Sequence, residues 1–130
     1  MEKQSFFLKK ISLSVLLVIS VFTASFGQSE KSISSIEQKG GWYYIYDEKG
    51  HHLRSFSATS CELVGYGTDW YIVKRGGWYC FYDIKGNQYK SMSATSGEIT
   101  RVNADTFIMV KGSWVYTYDK KGNRIATRSR

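Results

Sequence analysis

The sequence predicts an all-β fold: an antiparallel meander of three 36-residue repeats holding about eleven short strands. Three observations lead there. The stretch GGWYYIYDEKGHHLRSFSATSCE at 40–62 aligns without a gap with GGWYCFYDIKGNQYKSMSATSGE at 76–98 and with GSWVYTYDKKGNRIATRS at 112–129. Residues 40–75 and 76–111 share 16 of 36 positions, which sets the repeats as 40–75, 76–111 and a partial 112–130. Glycine recurs at matched places, and the runs between glycines are aromatic or β-branched, as strands require.

Each element follows from local chemistry. Lys39-Gly40-Gly41-Trp42, Arg75-Gly76-Gly77-Trp78 and Lys111-Gly112-Ser113-Trp114 place a Gly-first, two-residue turn between strand-like runs, a hairpin signal. Asp47-Glu48-Lys49-Gly50 and its copies at Asp83 and Asp119 fit a type I turn. Asp accepts backbone hydrogen bonds and Gly takes the positive φ. The TSCE and TSGE segments then turn the chain into two further strands.

A two-residue loop fixes register, and register decides which side chains meet. Across Gly76-Gly77, Val73 and Tyr71 face Cys80 and Tyr82 on one side; Ile72 and Trp70 face Phe81 and Asp83 on the other. Both sides are apolar, so the sheet must be covered twice, in a propeller-like stack, a sandwich or a compact barrel. A β-trefoil-like arrangement is the alternative. Lys39, Arg75 and Lys111 oppose Trp42, Trp78 and Trp114, which predicts cation–π caps on the three hairpins.

The chain opens with Lys3, Lys9 and Lys10 ahead of an apolar stretch, Ile11–Ala24, and small residues near Gly27. This pattern predicts a signal peptide over 1–27 and a single β-repeat domain over 28–130. The apolar stretch is shorter than the ~20 residues of a membrane-spanning helix, so no transmembrane segment is expected in the mature chain. Removing the leader lowers the formal charge from +7 to about +5. The predicted location is the periplasm, the cell surface or the medium.

At YTYDKKGNRIATR, residues 116–128, the sequence resembles the YD repeat of Rhs-type proteins. GWYYIYDEKG, residues 41–50, resembles the aromatic-Gly units of choline-binding cell-wall repeats. The chain after the leader is most similar to the WG-like β-repeat proteins exported by Bacteroidota, whose signal peptides often end in a small residue followed by Gln, as at Gly27-Gln28. The resemblance implies an exported β-repeat protein and carries no active site with it.

Side chains capable of chemistry are few. His51 and His52 are adjacent, so on a strand they point to opposite faces and do not chelate one metal. Cys61 has no base in a supporting motif, and the strand order places it two strand spacings, ~9.6 Å, from Cys80. Free thiols are therefore expected, since a disulfide needs Cα atoms within ~7 Å. Neither a metal site, a cofactor nor a catalytic set is expected, and the scattered basic residues do not form a nucleic-acid track. The sequence thus points to a non-enzymatic binding module at the bacterial envelope, with a protein partner favoured and a glycan- or cell-wall-binding, lectin-like module as the alternative.

Two surfaces are candidates. Tyr43, Tyr66, Trp70 and Tyr79 are aromatic positions the hairpins do not use, and could stack on a glycan; inter-sheet packing is the competing account of them. At the other end, residues 123–129 lack a following strand. Arg124, Arg128 and Arg130 are expected to mark a basic edge where a partner adds a strand.

Overall fold

The computed structural model describes residues 31–130. The expected signal peptide lies outside the described residues. Eleven strands run in chain order: β1 Ile33–Lys39, β2 Trp42–Asp47, β3 His52–Ser57, β4 Glu62–Tyr66, β5 Trp70–Arg75, β6 Trp78–Asp83, β7 Gln88–Ser93, β8 Glu98–Val102, β9 Thr106–Lys111, β10 Trp114–Asp119 and β11 Arg124–Ser129. They form three antiparallel sheets ordered β1-β2-β3, β4-β5-β6-β7 and β8-β9-β10-β11. The described strands close neither a barrel nor a trefoil. The sheets instead stack as layers, and among the described residues no helix is long and apolar enough to cross a membrane.

The turns form as their residues require. Gly40, Gly76 and Gly112 take φ of 61°, 57° and 58° at the first position of each hairpin loop, and the second position stays at negative φ, so Ser113 replaces Gly there without strain. Asp47, Asp83 and Asp119 each accept two backbone amides at 2.8–3.0 Å through one carboxylate oxygen. At Asp119 these bonds hold the carboxyl below its ordinary range, the amide of Asn123 contributing most. Register across the central hairpin is Arg75↔Trp78, Val73↔Cys80, Tyr71↔Tyr82, Ile72↔Phe81 and Trp70↔Asp83, as the loop length dictates.

The middle sheet is covered on both faces. One face packs on the first sheet, with Tyr71, Val73, Leu63 and Tyr82 against Ile33, Ile45 and Phe56. The other packs on the last sheet, with Trp70, Ile72, Tyr79 and Phe81 against Ile99, Phe107 and Met109. Phe56 stacks on Tyr71 at 5.1 Å in the first junction. In the second, Phe81 and Phe107 meet at 5.2 Å and Phe107 stacks on Tyr118 at 5.1 Å.

The last sheet has four strands and, among the described residues, the first has three. Sheets change at the turns after Ser57 and Ser93 rather than at the Gly-first hairpins, so each 36-residue repeat contributes half of two successive layers. β3 and β7 are consequently edge strands as much as β11 is.

Burial of phenols makes the fold alkali-sensitive. Tyr71 is buried between the first two layers, and desolvation pushes its pKa from 10.0 to about 12. Between those values the folded protein holds a proton that the unfolded chain has released. The contribution is therefore complete below pH 10.0 and is lost as pH rises toward about 12. Tyr71→Phe is expected to make the fall in urea midpoint between those pH values shallower; identical alkaline limbs would contradict this.

Candidate functional site

The junctions between layers repeat the same devices. The Leu63 amide donates to the Tyr43 hydroxyl at 3.2 Å, and one repeat later the Ile99 amide donates to the Tyr79 hydroxyl at the same distance. Arg54 lies over Gly86 and Lys90 over Gly122, where an added Cβ would come within 2.8 Å of either side chain. Three of the aromatic candidates are thereby placed: Tyr43, Tyr79 and Trp70 are buried junction residues. The Trp70 indole N–H donates to the Ala104 carbonyl at 2.7 Å. Tyr66 is half-buried against the first junction, and its hydroxyl donates to the Ser34 carbonyl at 3.4 Å. These four residues are split between two junctions, and they do not converge on a common opening.

Some repeat positions change chemistry between junctions. Ile33 and Ile84 belong to the apolar cluster of the first junction. Their equivalents in the second, Asp69 and Lys120, form an ion pair at 2.8 Å that Asp105 joins at 3.7 Å. Tyr89, beside this pair, is 41% exposed as a whole, but desolvation of its hydroxyl end, which donates to the Lys120 carbonyl at 2.7 Å, raises its pKa to about 12. Ion pair and phenol close the turn end of the second junction. They line a small pocket with Trp70, Asp83 and Lys121.

The end layers depart from the pattern where a further layer would lie. On the outward side of β1, Ser35 and Glu37 occupy the positions that Tyr71 and Val73, or Phe107 and Met109, hold in the covered sheets. On the last sheet, Val115 replaces the latch tyrosine, and Arg128 stands where Phe56 and Met92 reach the next layer. Polar outer positions are what terminal layers of a stacked repeat need. All six residues of β11 are exposed, and β11 pairs only with β10, so Arg124, Arg128 and Arg130 lie on or beside an open edge. Arg124 leans over the Tyr116 ring at 5.2 Å, and Arg130 donates to the Gly112 carbonyl at 3.2 Å. A groove beside this edge is lined by Thr100, Arg101, Ile108, Val110, Arg128 and Arg130.

The bulges make the open end visible. In β3, β7 and β11 the register shifts by one residue at Leu53, Tyr89 and Ile125 respectively. Leu53 packs into the first junction and Tyr89 touches Phe81 and the Lys120 backbone. Ile125 meets no following layer among the described residues and is 58% exposed.

The hairpin caps also differ from expectation. The cations do lie opposite the three Trp in register, but Lys39 turns onto Tyr44 and Tyr46, 5.5 and 5.6 Å from their centroids, and Arg75 onto Tyr82 at 5.9 Å. Each also donates to the tyrosine hydroxyl, at 3.2 Å. A long cation gains both a ring face and a hydroxyl by reaching diagonally, whereas the directly opposite indole offers only a ring. Trp42, Trp78 and Trp114 are left 50%, 52% and 49% exposed. The signal in the sequence is the recurrence of Trp in all three units at a position without a turn role.

The reactive side chains stand apart. His51 Nδ1 is 3.4 Å from Asp47 Oδ2, and the Cys61 thiol donates to the Ser57 carbonyl at 3.2 Å. Cys61 and Cys80 are free thiols. Among the described residues no group of three or more His, Cys, Asp or Glu gathers where a metal could bind. No protein-family model matches the chain, and no curated protein matches its sequence.

Proposed function

We propose that this chain is a non-enzymatic interaction module, exported to the bacterial envelope by its basic, apolar leader, and that it binds a protein partner along β11 and the outer face of the last sheet. The observation that carries this reading is Ile125, 58% exposed beside Arg124 and Arg128, where its equivalent Leu53 packs into the first junction and Tyr89, itself 41% exposed, bonds through its hydroxyl to the Lys120 carbonyl. An exposed edge offers unpaired N–H and C=O groups to an incoming strand, and the arginines select an acidic one. The same charges oppose pairing between two copies of the edge.

Replacing Arg124, Arg128 and Arg130 with Thr is expected to raise self-association in sedimentation, because the edge loses its repulsion. An extended peptide alternating Glu and Val is the direct probe. It should slow hydrogen exchange at the outward amides of β11 in the unmutated protein and do so less in the triple variant. A variant that stays monomeric, together with unchanged exchange on adding the peptide, would overturn the reading.

A further inference from the structure

Across each sheet a cation, an indole and a serine lie side by side on three adjacent strands: Lys39↔Trp42↔Ser57, Arg75↔Trp78↔Ser93 and Lys111↔Trp114↔Ser129. The trio occurs once per layer, at the hairpin end and on the corresponding face each time. A single exposed aromatic needs no explanation. Three at equivalent positions, each about half exposed, do, because the stack gains little burial from them and two of the opposing cations, Lys39 and Arg75, lie on tyrosines instead. The neighbouring junction position changes from Tyr43 and Tyr79 to Val115 as packing needs change, yet the Trp does not.

We infer that Trp42, Trp78 and Trp114 form a row that binds a linear, anionic polysaccharide, one disaccharide per layer. Stacked sheets lie about 10 Å apart, so the platforms recur at a spacing close to the length of a disaccharide in an extended chain. The apolar face of a pyranose ring carries C–H groups that pack on an indole, and the exposed Trp surface supplies that face. Lys39 and Arg75 lean onto tyrosines but keep their charge one strand away from Trp42 and Trp78, as Lys111 does in register with Trp114, so each platform has one positive charge beside it for one carboxylate per disaccharide. Three weak contacts on one polymer add by effective concentration, so occupancy depends on ligand length. The tryptophans and their cations lie outside β11, of which only Ser129 flanks Trp114, so this site goes beyond the strand-addition reading and either can fail without the other.

The test titrates the protein with hyaluronate oligosaccharides as the probe, linear and carrying one carboxylate per disaccharide, with neutral cello-oligosaccharides of equal length as the contrast. Tryptophan emission reports binding. The hexasaccharide should bind at least about tenfold more tightly than the disaccharide, and the neutral series more weakly. Trp42→Leu, Trp78→Leu and Trp114→Leu, which keep apolar bulk at the hairpin, should each weaken hexasaccharide binding by about tenfold with unfolding midpoints unchanged. Absence of saturable binding to hyaluronate, binding as tight in the Leu variants as in the unmutated protein, or equal affinity for the neutral series would each overturn the inference.

Discussion

Phe81→Ala is expected to be among the most damaging single truncations of the described residues, costing ~3–5 kcal/mol. The ring is fully buried in the second junction, 5.2 Å from Phe107, 6.2 Å from Tyr89 and 6.3 Å from Trp70. Its removal strips contacts from both sheets at once, and neither can close on the gap without moving the other layer's aromatics. Small domains hold only ~5–15 kcal/mol in total, so the variant should sit near its unfolding threshold. With each kcal/mol worth ~4–8 °C in a domain of this size, its thermal midpoint should fall by at least ~12 °C. Ile125→Ala removes a similarly apolar side chain from the open end and should stay within ~0.5 kcal/mol of the unmutated protein. Urea unfolding of the two variants side by side checks the contrast; equal losses would mean that the last layer has a covering partner in solution.

Gly67→Ala is expected to cost ~2–5 kcal/mol, from overpacking and from a broken buried hydrogen bond together. A Cβ at this position would overlap Trp70 Nε1 and the Ala104 carbonyl oxygen, and would lie 2.6 Å from the Asn103 carbonyl oxygen. The first two atoms are the donor and acceptor of the 2.7 Å bond that ties the middle layer to the loop of the last. Relief requires the indole to leave its pocket, which also disturbs its packing on Phe81 and Phe107. Gly77→Ala is the control, since an added Cβ there meets nothing within 4 Å. The expected outcome is a large loss in urea midpoint for the first and little for the second. A Gly67→Ala protein that unfolds at the unmutated midpoint would show that the loop is not held by Trp70.

Much of the architecture was legible because it rests on short-range chemistry. A Gly-first hairpin loop and an Asp-to-Gly turn each fix the positions of a few residues on either side, and register follows by counting. The two-sided apolar pattern around Gly76-Gly77 then required the middle sheet to be covered twice. Where the sheets begin was not legible, because a repeat of 36 residues reads the same from any starting point. Only hydrogen bonding between strands distinguishes a turn within a layer from a passage between layers.

Site residues were harder for a related reason. Alternation shows that Tyr43, Trp70 and Tyr79 share a face distinct from that of the three hairpin tryptophans, but not whether that face is covered. Coverage depends on the next layer, and the next layer on Leu63, Ile99 and Met109 far along the chain. The edge at Arg124–Ser129 was readable from its run of basic residues, where the second repeat has Gln88 and Met92. The tryptophan row was readable as repetition, but its exposure depended on where Lys39 and Arg75 would lean, a choice between two nearby rings that spacing does not make.

Residue-resolved amide hydrogen exchange tests the layered account most directly. The middle sheet is covered on both faces and the last on one, so amides of β5 and β6 should exchange only through global unfolding, with the largest protection in the chain. Amides of β11 that point away from β10 should exchange fastest among the strands, and those of β9 and β10 should fall between. Protection in β11 equal to that in β6, or uniform protection across the three sheets, would contradict a stack that is open at β11.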